Sequence, residues 1–218
     1  MSEERHLTTT RRARYYVAGD VATAPELWIV IHGYGQLARE FLGDFGVLVD
    51  AGRAVIAPEA LNRYYKETGG SGSHADTPVG TTWMTREHRD AEIADYVEYL
   101  DRVVATERRS GQQLGVIGFS QGVATAMRWV ALGTARFDRV VAWAGQLPHD
   151  LDLATVPHRF PASGVEFVVG TRDQYREWIG SERQQARLRD AGLASGLTVF
   201  EGGHRMDDGA LTGLLAPR

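Results

Sequence analysis

The sequence predicts an α/β protein built on a mostly parallel, twisted sheet with helices on both faces. Three observations carry that prediction. Short apolar runs of strand composition alternate with amphipathic stretches along nearly all of the 218 residues. Leu27–Ile31 (LWIVI) contains no polar residue, as a strand covered on both faces requires. Gln113–Phe119 passes through a glycine-flanked serine straight into the small and apolar residues of Val123–Leu132, so that strand, turn and helix follow without a spacer.

Residues 1–12 are polar and suit a frayed start or part of an edge strand. Arg14–Ala18 (RYYVA) has strand composition, with a turn through Gly19 and Asp20. After Leu27–Ile31 and the loop HGYG, residues Ala38, Phe41, Leu42, Phe45, Leu48 and Val49 recur at helical spacing and predict one helix, stopped by Gly52. Ala54–Ala57 is the next strand, closed by Pro58. From Leu61 to Trp83 periodicity vanishes around Gly69, Gly70, Ser71, Gly72, Ser73 and Pro78, which predicts a long irregular connection of the kind that carries function.

Thr85 is placed to cap a helix bearing Ile93, Val97, Leu100 and Val104 on one face and ending near Gly111. The serine strand and its helix come next, then the strand Arg139–Ala144. A second irregular stretch, Gly145–Gly164, holds Pro148, Pro157 and Pro161. The strand Val165–Gly170, a charged helix Trp178–Ala191, the strand Leu197–Phe200 and a short helix through Leu211, Leu214 and Leu215 complete the chain. With no repeat and no linker, a single domain over 1–218 is expected, without room for a large cap domain.

Composition narrows the function classes. A net charge of −4 and a pI near 6.0 give no basic surface for a phosphate backbone, so nucleic acid is not an expected partner. Without cysteine there is no disulfide, thiolate metal site or thiol nucleophile. Nothing resembles a signal peptide, and no stretch reaches the ~18 apolar residues of a membrane span, so a cytoplasmic protein is expected. Neither a cofactor nor a metal is expected, since no spacing among the seven histidines suggests a ligand set. Oligomeric state is not legible.

The chemistry centres on Gly118-Phe119-Ser120-Gln121-Gly122, a GxSxG pattern at a strand-to-helix junction. In such a nucleophile elbow the serine stands on a sharp turn, and the glycines are required where helix and strand backbones nearly touch. The bland alternative is a glycine-rich turn whose serine merely caps the helix. Later strand ends decide between them. Asp173 follows Val165–Gly170 and His204 follows Leu197–Phe200, giving the chain order serine, acid, histidine with one strand between those of serine and acid. Asp173 is favoured as the acid over a surface ion pair with Arg172 or Arg176; Asp207 and Asp208 suit helix capping. Backbone N–H groups of Gln121 and of Tyr34, in the loop after Leu27–Ile31, are the candidate oxyanion donors. His32, at the end of a buried strand, is read as fixing that loop by hydrogen bonding. Tyr64, Trp83, Met84 and Leu147 are candidates for an apolar substrate pocket, equally readable as loop anchors.

Together GVIGFSQGVATAMRW, HGYG, GTRD and GGH resemble the phospholipase/carboxylesterase group of α/β-hydrolases, which includes the acyl-protein thioesterases, and GTTWMTREHRDAEI resembles a bacterial esterase branch of it. The resemblance runs from about Leu27 to His204. It implies an α/β-hydrolase fold and a serine carboxylesterase whose triad is Ser120, Asp173 and His204, acting on a small-molecule ester. Tyr34 stands where many members carry leucine, and Gly69–Asp76 looks like an insertion; both bear on substrate. The expected substrates are short-to-medium acyl esters, possibly thioesters.

Two rivals draw on other features. Gly33, Gly35 and Ala38 match GxGxxA after a buried strand, with Glu59 24 positions beyond Gly35, as in an NAD(P)-binding oxidoreductase. That reading leaves Ser120, Asp173 and His204 unexplained, and Lys66 does not stand four residues after a tyrosine. A hydrolase fold used only for binding is the second rival.

Overall fold

The computed structural model describes residues 1–66 and 77–214. Their first strands are β1 (Tyr15–Ala18) and β2 (Glu26–Ile31). The expected single helix after β2 is instead two short helices, α1 (Ala38–Leu42) and α2 (Gly46–Asp50), joined by a 3₁₀ turn. Gly43 and Gly46 weaken the helix there, yet Ala38, Phe41, Phe45 and Leu48 keep the predicted buried face. β3 (Ala54–Pro58) follows.

The region read as an irregular connection contains an antiparallel pair, β4 (Asn62–Tyr65) and β5 (Val79–Thr82). Its strands pair only with each other, and β4 alternates half-buried with exposed residues, so no apolar run marks it in the sequence. The stretch Gly69–Asp76 lies outside the described residues.

α3 (Arg89–Glu107) starts four residues after Thr85 and ends before Gly111. Thr85 therefore does not cap it; His88, in the left-handed region at φ 45°, precedes the first turn. Glu92 instead reaches back to the Thr85 N–H at 2.5 Å. β6 (Gln113–Phe119) and α4 (Gln121–Leu132) flank Ser120, and β7 (Arg139–Trp143) and β8 (Val165–Gly170) follow. The charged helix is split by Gly180, at φ 57°, into α5 (Arg176–Ile179) and α6 (Ser181–Asp190). β9 (Ser195–Phe200) precedes α7 (Asp208–Leu214); Leu215, expected in that helix, lies outside the described residues.

Among the described residues seven strands form one sheet in the order β1-β3-β2-β6-β7-β8-β9, antiparallel only at β1. Alternation along β2 explains why Leu27–Ile31 holds no polar residue. Leu27, Ile29 and Ile31 enter one core with Tyr96 and Leu100 of α3, Val123 and Met127 of α4 and Leu188 of α6. Trp28 and Val30 enter a second core on the other face, with Phe41 of α1, Leu48 of α2 and Leu211 of α7. Among the described residues no helix is long and apolar enough to cross a membrane.

Register places the chemistry. Ile31 pairs with Gly118 and Phe119 with Trp143, so the loop after β2 and the turn after β6 emerge side by side at the carboxyl end of the sheet. α4 then leaves at once, so tightly that a Cβ on Gly118 would lie 2.7 Å from Val123 Cα, and one on Gly122 2.7 Å from the His32 carbonyl oxygen. These are backbone atoms and cannot rotate away. Gly122→Ala is therefore expected to lower stability by roughly 3 kcal/mol or more, read as the midpoint of denaturant unfolding; an unchanged midpoint would contradict the close packing.

Candidate active site

Ser120 is the residue on which strand and helix disagree. It adopts φ 54° and ψ −118°, one of three non-glycine residues at positive φ among those described. A conformation of that kind costs on the order of 1–3 kcal/mol and persists only where the surroundings impose it. Here they do: its N–H donates to the Trp143 carbonyl at 2.9 Å, and its own carbonyl accepts the Val123 N–H at 3.0 Å. Ser120 remains half-buried at the head of α4, whose unsatisfied N–H groups carry partial positive charge.

The turn after β8 is held to the turn after β9 by backbone bonds from Thr171 N–H to Phe200 O and from Arg172 N–H to Gly202 O, both 2.8 Å. That brings Asp173 to His204: His204 Nδ1 lies 2.8 Å from Asp173 Oδ2. Asp173 Oδ1 accepts the Tyr175 N–H at 2.8 Å. The carboxylate is thus fully buried yet supplied with two donors. A carboxylate facing Nδ1 fixes the hydrogen on Nδ1 and leaves the Nε2 lone pair free to take a proton. Phe119 and Tyr175 flank the imidazole, with ring centroids 4.9 and 4.8 Å away, so the residue before Ser120 touches the histidine directly.

The alternative ion pairs for Asp173 do not form. Arg172 pairs with Glu201 at 3.1 Å on the surface, and Arg176 reaches the Thr171 carbonyl. Asp207 accepts the Ala210 N–H, consistent with a capping role.

Around the loop after β2, Gly33 N–H donates to Gln36 Oε1 at 2.7 Å and Gly35 N–H to Thr81 O at 2.8 Å. Among the described residues, neither the Tyr34 nor the Gln121 N–H has an intramolecular acceptor. Two of the amides a dinucleotide would need are therefore already engaged, and α1 has only five residues. Glu59, the candidate ribose partner, is fully buried against Arg14 at 2.6 Å and Arg63 at 3.0 Å. The two glycine amides and the acidic residue on which the dinucleotide reading depends are thus held in internal contacts.

His32 performs the structural role expected of it. Buried completely, it donates from Nδ1 to Gly33 O at 2.8 Å and accepts at Nε2 from the Ala60 N–H at 3.1 Å. Only the neutral imidazole can do both. Burial pushes its pKa down to about 4, against small opposing effects of the Gly33 carbonyl and Glu59.

Two of the four proposed pocket residues do not line a cleft. Trp83 and Leu147 are each 1% exposed in the core, and the Trp83 indole N–H donates to the His32 carbonyl at 2.9 Å. An indole has to satisfy that N–H when buried, and this carbonyl is where it does so. Met84 is half-buried, its sulfur 3.4 Å from Arg128 Nη1. Arg128 also grips Asp150, at 3.1 and 2.7 Å, and Arg89 adds a third contact at 2.6 Å, so Arg128 foremost holds the Asp150 carboxyl far below the usual carboxylate range. Met84, just past the first irregular connection, and Asp150 in the second are tied to α4 through this one side chain. Tyr64 stacks on Tyr34 with centroids 5.3 Å apart, and burial, then hydrogen bonding to Tyr34, raises its phenol pKa.

Tyr175 was not singled out from sequence; its position two residues past the acid was the available signal. Among the described residues one group has metal-ligand geometry, Glu4, His6 and His88, all exposed and on none of the strand ends that form this site.

The matching family model is that of the FSH1 serine hydrolases, over residues 29–206. No curated protein matches the chain in sequence. Zea mays acyl-protein thioesterase 2 is 18% identical over 93% of this chain and 96% of its own, with a TM-score of 0.69. A carboxylesterase from Mesorhizobium loti is 15% identical over 94% and 95%, with a TM-score of 0.67. For the Bacillus cereus carboxylesterase the figures are 16%, 93%, 91% and 0.64. These likenesses show the fold: that of the α/β-hydrolases, with no cap domain.

The neutral His32 has a consequence for stability. Its folded pKa lies below its ordinary 6.5, so the unfolded chain binds the extra proton as pH falls. Stability from this group is therefore complete above about 6.5 and is lost on the way down to about 4. Between pH ~7 and pH ~5 the loss should be about 2 kcal/mol. Denaturant midpoints at the two pH values, compared for wild type and His32→Gln, test this; an equal slope in both would contradict it.

Proposed function

The chain belongs to the FSH1 serine hydrolase family, and we propose that it is a carboxylic-ester hydrolase working through an acyl-enzyme on Ser120. The observation that carries this is a serine held at φ 54° next to Phe119, whose ring packs on the imidazole of the hydrogen-bonded Asp173–His204 pair.

In this mechanism His204 Nε2 takes the proton from Ser120 Oγ as the oxygen attacks the ester carbonyl. Asp173 holds the ring by Nδ1 and stabilises the imidazolium. The tetrahedral oxyanion accepts the Tyr34 and Gln121 N–H groups, with the α4 terminus adding favourable potential. Collapse breaks the bond to the alkoxy group, which leaves with the proton from His204. Water, deprotonated by the same nitrogen, then cleaves the acyl-serine and restores the free hydroxyl. No step calls for a cofactor or metal.

Short-to-medium acyl esters are the proposed substrates, with thioesters open to the same chemistry. In support, the fold has no cap to enclose a long chain, and the aromatic groups at the site are open, Tyr34 being 62% and Tyr175 46% exposed. The maize neighbour, named as an acyl-protein thioesterase, supports the thioester arm.

Hydrolysis of p-nitrophenyl esters from acetate to palmitate tests the proposal. Ser120→Ala should reduce turnover by a factor on the order of 10⁴ or more while remaining folded. Asp173→Asn should also lose several decades, because the amide no longer fixes the productive tautomer. Turnover unaffected by Ser120→Ala would defeat the nucleophile assignment. A clear preference for palmitate over butyrate would defeat the chain-length assignment alone.

A further inference from the structure

β5 ends in two consecutive threonines, Thr81 and Thr82, only 0% and 4% exposed. Successive side chains of a strand leave on opposite sides, so their hydroxyls work in different directions. Thr81 Oγ1 donates to the Gln36 carbonyl at 2.6 Å, and the Thr81 carbonyl accepts the Gly35 N–H at 2.8 Å. Those two contacts bracket Tyr34. Thr82 Oγ1 accepts from Gln121 Nε2 at 2.9 Å and donates to the Met84 carbonyl at 3.0 Å, while Gln121 Oε1 accepts the Trp83 N–H at 3.3 Å. The strand also lies hard against the loop: a Cβ on Gly80 would stand 3.1 Å from Gly35 Cα.

Tyr34 and Gln121 come from different strand-to-helix junctions, and their amides can share one oxyanion only if the separation between them is fixed. We infer that Thr81 and Thr82 are positioning residues that fix it, Thr81 through Gln36 and Gly35 for the Tyr34 N–H, Thr82 through the Gln121 side chain for the Gln121 N–H. The inference rests on the assignment of those two amides in the proposed function. It gives the glutamine of GFSQG a task beyond its backbone: the side chain is the strap by which β5 holds the head of α4. Oxyanion donors act only when already in place, about 2.7–3.1 Å from the developing charge, and they act on the transition state rather than on the bound ester.

The test uses the full chain and p-nitrophenyl butyrate. Thr81→Val and Thr82→Val keep the shape and remove the hydroxyl. Each should lower kcat about tenfold, a part of what losing a donor outright costs, with KM within about twofold. The inhibition constant of an alkyl boronic acid, whose tetrahedral adduct places an oxygen in the same hole, should weaken by a similar factor. Thr82→Ser, which retains the hydroxyl, should stay close to wild type. If the valine variants do not fold, Gln121→Met removes the same strap from the other end and leaves the backbone N–H, and the same readouts apply. Ser120-dependent turnover in the wild type, with kcat and boronate affinity of the folded variants within twofold of it, overturns the inference and leaves the proposed function standing. Absence of Ser120-dependent turnover in the wild type overturns both.

Discussion

The first turn of α4 lies against the ends of β6 and β2 so closely that only hydrogen fits at Gly118 and Gly122. That contact forces the chain to reverse within one residue, and the residue that reverses is Ser120, at a φ that side chains avoid. The same contact sets the Gln121 N–H beside the serine and brings the loop after β2 alongside, because Ile31 and Gly118 are paired in register. A single steric constraint thus brings together Ser120, the Gln121 N–H and the segment bearing the Tyr34 N–H, the groups proposed as nucleophile and oxyanion donors.

Polar groups then hold what packing has brought together. His32 lies under the loop as a neutral ring with both nitrogens engaged. Asp173 sits buried with one oxygen on the Tyr175 amide and one on His204. In each case a group that would be costly to bury alone is given complete partners, so that its orientation is unique. The two rings also illustrate a division of labour: His32 is inaccessible and kept neutral, whereas His204 is 18% exposed and keeps one nitrogen uncommitted.

Much of this architecture is readable from the residues because strands buried on both faces are largely apolar, and Leu27–Ile31, Gln113–Phe119 and Val165–Gly170 are so apart from Gln113 and Glu166. Ser120 and Asp173 were singled out because each stands just past such a strand, and His204 because it follows the last strand, whose residues are mostly half-buried or exposed. The β4–β5 pair was hidden for the complementary reason. Its residues act through backbone bonds and threonine hydroxyls, which leave no periodic trace. Trp83 and Leu147 show the opposite failure: apolar side chains in loops suggested a substrate pocket, but their neighbours in space, unreadable from sequence, take them into the core. Helix ends were misplaced where Gly43 and Gly46 interrupt an apolar pattern that runs on and where Gly180 divides a charged one.

The proposed mechanism requires that Ser120 be activated by His204, which Asp173 holds through Nδ1. Reaction with an alkyl fluorophosphonate, followed by intact mass and peptide mapping for wild type and His204→Ala, tests this without assuming a substrate. The predicted result is one adduct per chain in the wild type, on Ser120, with labelling slowed by several decades in the folded variant. A wild-type chain that stays unlabelled, an adduct elsewhere, or equal rates for the two proteins would contradict it.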